Sequence, residues 1–274
     1  MRNYLLAAAS GISLLCAPAA FAQDAAEFDG PYVGGSIGLT QSPKDNGETI
    51  LFDRGFNGSL DTITTTANTN AFSPGFCGGR ATVTANTGCI SDRTDAEYHV
   101  RAGWDAQLGS FVIGVVGEFG KSEARDSVSA FSTTPASYTM TRQIKWEGSF
   151  RARAGYVFGS KTLGYLTAGP SYAKIDNSFA TSNTQNAFAD NGDSYSWGVS
   201  GGGGIEHKIS DNLSFGVEYL YTRYNEDDYR VRVTQGIANA INPFILFGAP
   251  GTEFRRSDPR FDFHSVRATA AFRF

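Results

Sequence analysis

The chain has 274 residues, with 27 acidic against 23 basic side chains and a formal net charge of −4. That balance lacks the basic footprint of a nucleic-acid binder. Aromatic residues make up 13 % of the chain and charged residues only 18 %, which excludes general disorder. Beyond the first two dozen residues no apolar run approaches the roughly 18 residues of a membrane helix, whereas a β-barrel span, weak in signal per strand, stays open.

Arg2 gives a short positive n-region, Leu5 to Leu15 an apolar h-region, and Ala20-Phe21-Ala22 the small-x-small pattern that precedes cleavage. Residues 1–22 are therefore expected to be a removed signal peptide, followed by a short N-terminal segment at 23–29 and one barrel domain at 30–274. Cys16 reads as a leader residue rather than a lipidated cysteine, because Leu15 stands where a small residue is required. Cys77 and Cys89 remain in an exported, oxidising setting, where an even count favours a disulfide. No His or further Cys lies nearby to complete a zinc site, so neither metal nor cofactor is expected.

From Tyr32 onward the recurring signal is period-2 alternation. The first strand covers Val33 to Leu39. The second, Ala96 to Ala106, sets Tyr98, Val100, Ala102 and Trp104 against Glu97, His99, Arg101 and Asp105. The third, Phe111 to Gly120, sets Phe111, Ile113, Val115 and Phe119 against Glu118. In the fourth, Ile144 to Phe158, Ile144, Trp146, Phe150 and Tyr156 oppose Lys145, Glu147, Arg151 and Arg153. The fifth, Leu163 to Ala173, holds Pro170, which suggests a bulge. The sixth, Trp197 to Ile209, sets Trp197, Val199 and Ile205 against Ser200 and Glu206. The seventh, Leu213 to Tyr221, sets Phe215, Val217 and Tyr219 against Ser214 and Glu218. The eighth, Phe263 to Phe274, sets Val266, Ala268, Ala270, Phe272 and Phe274 against Arg267, Thr269 and Arg273.

Connections alternate strictly. Those at 108–110, 159–162 and 210–212 are short, and those near 41–94, 121–140, 175–194 and 225–260 are long. Short turns at one end and long loops at the other, joined by strands of about ten residues, mark an outer-membrane barrel with its short turns in the periplasm. The fold class predicted is all-β, an eight-stranded antiparallel up-and-down transmembrane barrel with four long outer loops. A charge facing lipid near the midplane costs a few kcal/mol, so Arg101, Glu118, Arg151, Arg153, Glu206, Glu218 and Arg267 should all point into the lumen and pair there.

Five segments carry a family resemblance. Gly30-Pro31-Tyr32-Val33-Gly34-Gly35 looks like an opening strand and Arg151-Ala152-Arg153-Ala154-Gly155-Tyr156 like a central one. Gly204-Ile205-Glu206 and Val217-Glu218-Tyr219-Leu220-Tyr221 look like the sixth and seventh strands, and the chain stops at Phe272-Arg273-Phe274. In this order they resemble the OmpA-like eight-stranded barrels, most closely the porin-like small barrels of Gram-negative outer membranes. The resemblance implies a cell outer-membrane location, contact with outer-membrane lipid and lipopolysaccharide, and an assembly signal at Phe272 and Phe274 read by the barrel-assembly machinery. It covers the strands and not the loops, and no periplasmic anchor domain of the full-length OmpA type is expected after Phe274.

Competing chemistry is weak. Gly201 to Gly204 lies inside an alternating strand with no Lys-Ser/Thr pair or helix after it, so it reads as close packing in a wall rather than a phosphate loop. His99, His207 and His264 fall on separate strands, and the adjacent His264 and Ser265 face opposite sides, which disfavours a nucleophile–base pair. The inward charges would either line an aqueous pathway or fill the interior as paired ions. An eight-stranded barrel is just wide enough for side chains to fill, which favours the second. Glu226-Asp227-Asp228 and Arg255-Arg256 read as solvated loop charge, with lipid-headgroup or partner contact as the sharper alternative. The reading is a non-enzymatic membrane scaffold that displays surface loops, with an unidentified surface partner through them. A small diffusion pore is the alternative and a barrel lipid hydrolase a disfavoured third.

Overall fold

Eight strands close on themselves in the structure, a computed structural model that describes residues 27–43, 47–92 and 94–274. The expected signal peptide at 1–22 lies outside the described residues. In chain order the strands are β1 (Gly30–Gln41), β2 (Asp95–Leu108), β3 (Phe111–Ser122), β4 (Ala136–Phe158), β5 (Thr162–Thr181), β6 (Ser194–Lys208), β7 (Leu213–Asn225) and β8 (Arg260–Arg273). Each pairs antiparallel with its successor, and β8 returns to β1 with Gly38 opposite Arg267 and Gly34 opposite Ala271. Closure pairs every edge, which lipid demands.

The alternation resolves into two faces as expected. Val100, Trp104, Phe119, Phe150, Leu166, Trp197, Ile205 and Val217 stand exposed on the outside. Aromatic side chains gather at both ends of this belt. Trp146 stacks near Phe119, Tyr172 and Tyr195 at one end, with ring centroids 5.7–6.2 Å apart. At the short-turn end Tyr156 meets Phe111 at 5.3 Å and Phe158 at 5.1 Å, and Phe272 meets Phe274 at 5.3 Å. Such girdles mark the two lipid–water interfaces.

Two local expectations are corrected. Pro170 makes no bulge. Its register with β6 runs on unbroken, and the β4 register is the same on either side of it. Instead the register shifts between Lys174, opposite Trp146, and Ile175, opposite Ile144. Lys145 is thereby left over, and one extra residue inverts the parity of everything beyond it. Ile144 is consequently buried inside and Lys145 exposed, the reverse of the alternation read from sequence.

The long connections are also more ordered than loops. A membrane crossing needs about 9–11 residues of tilted strand, yet β4 has 23 and β5 has 20. Beyond the girdle, Arg125–Ser132 pairs with the outer part of β4, and Gly75–Gly78 pairs with Arg125–Ser132. A separate four-stranded antiparallel sheet runs in the order Ala187–Asp190, Val231–Thr234, Thr252–Arg256, Ile50–Arg54. Between the two lies an aromatic core fed by all four connections: Phe52 and Phe72 from the first, Tyr138 from the second, Phe188 from the third, Phe244 and Phe254 from the fourth. Phe52 stacks on Phe72 at 4.4 Å and meets Phe254 edge-on at 4.9 Å. The connections therefore form one outer domain. Two charges read as solvated are buried in it or beneath it: Arg256 and Glu226, the latter accepting from Ser194 Oγ at 3.0 Å and Tyr229 N at 3.1 Å.

Candidate functional site

The inner face of β4 crosses the whole interior, and its residues sample every layer. Nearest the short turns the lumen is stopped by Phe28, packed among Val112, Val157, Leu163 and Tyr165. Above it Arg153 reaches Asp105 at 3.2 Å and also bonds Glu206, while Arg273 reaches Asp105 at 2.8 Å. Arg153 lies 3.9 Å from the centre of the Tyr165 ring, and Arg273 lies 4.8 Å from that of Tyr32. Small residues make room for these rings. A Cβ on Gly103 would come within 2.4 Å of Tyr32, and one on Gly204 within 2.7 Å of the Tyr165 hydroxyl.

One layer up, Glu118 is shared by three guanidiniums. Arg151 lies 2.5 Å away, Arg267 3.2 Å and Arg101 3.3 Å. Glu218 sits opposite and accepts from Arg101 at 3.2 Å, Arg151 at 3.3 Å and the Tyr165 hydroxyl at 2.9 Å. Arg267 also forks onto Glu97 with bonds of 2.7 and 2.8 Å. Each ion thus faces partners from other walls, as a buried charge requires. The space left among His99, Glu118, Arg151, Tyr224 and Arg267 is about 10 Å3, room for about one water. Higher still, Ile144, Ile175, Tyr224, Phe261 and Phe263 form an apolar stopper. Over it lies a buried ion cluster in which Arg256 forks onto Glu48 at 2.7 and 2.5 Å and also reaches Asp126 at 2.8 Å. Arg142 reaches Asp126 at 2.7 Å. Burial alone would push Asp126 up, but Arg256 and Arg142 beside it outweigh that and hold its carboxyl below the usual range.

All seven lumen residues anticipated from sequence are buried inside and joined in these two layers. Their partners Glu97, Asp105, Glu147 and Arg273 share the same polar parity on their strands, so parity carried to its end finds them too. Nothing in the sequence signals the Glu48, Asp126, Arg142 and Arg256 cluster, whose members come from three connections and an inverted stretch of β4.

Cys77 and Cys89 form the expected disulfide in the outer domain. His264 bonds Tyr219 at 2.6 Å on the outside while Ser265 bonds Glu97 at 3.1 Å inside, so that pair does not meet. Glu97, His99 and Glu147 bring three ligand atoms within 4.8 Å. Arg267 already neutralises Glu97, and Glu147 accepts from Tyr224 at 2.6 Å and contacts His99 at 3.1 Å, which is an ion-pair network rather than a metal cradle. Phe272 and Phe274 stand exposed on the outer face at the short-turn rim.

A family model described as outer membrane protein beta-barrel domain matches residues 7–240. A 25 kDa outer-membrane immunogenic protein of Brucella abortus is 33 % identical over 130 residues, 47 % of this chain and 52 % of that relative. A 31 kDa outer-membrane immunogenic protein of Brucella melitensis is 26 % identical over 176 residues, covering 64 % of this chain and 65 % of that relative. The chain spans about half the length of the 25 kDa relatives it matches. Among solved structures, the outer membrane protein OprG of Pseudomonas aeruginosa is similar at a TM-score of 0.49 and 11 % identity, over 90 % of this chain and 97 % of that one.

Proposed function

Because the chain belongs to the outer membrane protein β-barrel family and sits in the cell outer membrane, we propose that it works there as a non-enzymatic scaffold. In this role it holds a folded domain at the cell surface and supports envelope integrity. The observation that carries this reading is the sealed interior. Two ion layers lie between apolar stoppers, Phe28 at one end and Phe261 with Phe263 at the other. A diffusion pore needs a continuous aqueous path, and a lipid hydrolase needs a nucleophile beside its base; the packing and the separated His264 and Ser265 favour neither.

Lipopolysaccharide and phospholipid are the partners this reading assigns to the outer belt, the barrel-assembly machinery is the one for Phe272 and Phe274, and an unidentified surface partner is the one for the outer domain. A strain lacking the chain should become more sensitive to detergent and recover when the wild-type chain is restored. Unchanged sensitivity contradicts the envelope role.

Phe274 allows a separate check. Its backbone N–H bonds Pro31 O at 3.1 Å and its side chain is free to be recognised. Deleting it should lower the amount of folded protein in the outer membrane while the outer domain of what does fold stays intact. The mobility shift between heated and unheated samples on a denaturing gel reads this out, and an unchanged folded amount contradicts the assembly signal.

A further inference from the structure

The outer domain carries a polar site separate from the lumen. A cavity of about 300 Å3 opens between the hairpin Arg80–Ala81/Cys89–Ile90 and the paired strands Arg125–Ser132 and β4. The hydroxyls of Ser91, Ser127 and Thr141 and the carboxylates of Asp92 and Asp95 line it. Ser127 Oγ lies 3.1 Å from Thr141 Oγ1, and Asp92 accepts from Ser127 N at 2.8 Å and Ser127 Oγ at 3.0 Å. Arg125 stands at the rim, tied to Gln143 at 2.9 Å. Arg80 stands there too, and among the described residues its guanidinium has no hydrogen bond or ion pair. Ile90 adds a partly exposed apolar wall.

The site is held in shape. Gly79 N donates to Ser127 O at 2.6 Å, Ala81 N donates to Ser129 Oγ at 2.9 Å, and the Cys77–Cys89 bond closes the hairpin. A preformed concave site with a few convergent polar groups is what a small ligand needs.

We propose that this cavity binds an acidic sugar, one carboxylated pyranose unit of a polysaccharide. Its volume sits at the small end of ligand sites, about 300–1,000 Å3, and suits a single ring. Carboxylate and hydroxyl acceptors match the O–H donors of a polyol, and the Arg80 fork matches a carboxylate bidentately. A simple anion would meet Asp92 head-on, whereas ring hydroxyls place the ligand's own charge at the rim and donors against Asp92. A neutral sugar leaves Arg80 unanswered. This goes beyond the scaffold role and rests only on these residues, so its failure in purified protein leaves the envelope test untouched.

The experiment is ligand-observed saturation-transfer NMR on the purified full chain in detergent micelles, with D-glucuronate, D-glucose and glycine as probes. D-glucuronate should bind, and D-glucose about tenfold more weakly or not at all, the ratio expected for one charge-assisted contact. Arg80→Gln, at an exposed position, should erase the preference between the two sugars. Asp92→Asn should weaken both. Absence of transfer to D-glucuronate, equal binding of the two sugars to the wild type, or displacement of D-glucuronate by glycine would each overturn the assignment, the last by making the site one for zwitterions.

Discussion

Replacing Glu118 with Ala is expected to cost about 3–5 kcal/mol of barrel stability, the range for removing one partner of a buried ion pair. Three guanidiniums converge on this carboxylate, from β2, β4 and β8. Removing it leaves Arg151 without its shortest ion contact and strips a carboxylate from Arg101 and Arg267 in a space with room for about one water. Glu118→Gln keeps the shape and an acceptor but not the charge, so its loss should be intermediate. Lys145→Ala, which breaks a half-exposed pair with Asp193 at 3.5 Å, should leave the barrel as stable as before. Urea midpoints in detergent, followed by gel mobility, check all three. A Glu118→Ala midpoint equal to the wild type contradicts the lumen network.

Arg256→Ala should release the outer domain while the barrel stays closed. The Arg256 side chain joins Glu48 of the first connection to Asp126 of the second and also donates to Met140 O at 3.3 Å. Its loss strands the Glu48 carboxylate under the aromatic core and leaves Asp126 to Arg142 alone, again a cost of about 3–5 kcal/mol, but this time in a domain that the barrel ladder does not need. Limited proteolysis should then cut the 47–92 and 226–259 connections, with the mobility shift of the barrel unchanged. Asp126 gives the same cluster a pH signature. Its folded carboxyl titrates below its unfolded one, so its contribution is complete above about pH 4 and disappears as pH falls through the folded value. Protection of the connections should therefore weaken in acid before the barrel opens. Equal protease resistance of Arg256→Ala and wild type contradicts the clamp.

The barrel was legible because lipid imposes one rule on every strand, apolar outward and polar inward. The rule reverses where a strand leaves the membrane, and β8 shows the reversal at constant parity. Ser265, Arg267 and Thr269 point in against outward Val266, Ala268 and Ala270, but further out Phe261 and Phe263 point in while Asp262 is only partly buried. Above the girdle water is the solvent again, and apolar groups turn inward as in any soluble domain. In β4 the extra residue at Lys145 adds a flip that no pattern announces. The outer sheet was missed for a related reason. Its strands are four or five residues long, lie far apart in sequence and pair only with one another, so none carries enough alternation to be read alone.

Planar-bilayer recording of the purified full chain tests the central claim that the interior is sealed. The packing of Phe28 below, the Glu118 and Glu218 layer in the middle and Phe261 with Phe263 above predicts a membrane with inserted barrels and no steady current. Steady, high-conductance openings of the wild-type protein would contradict it and make the chain a pore.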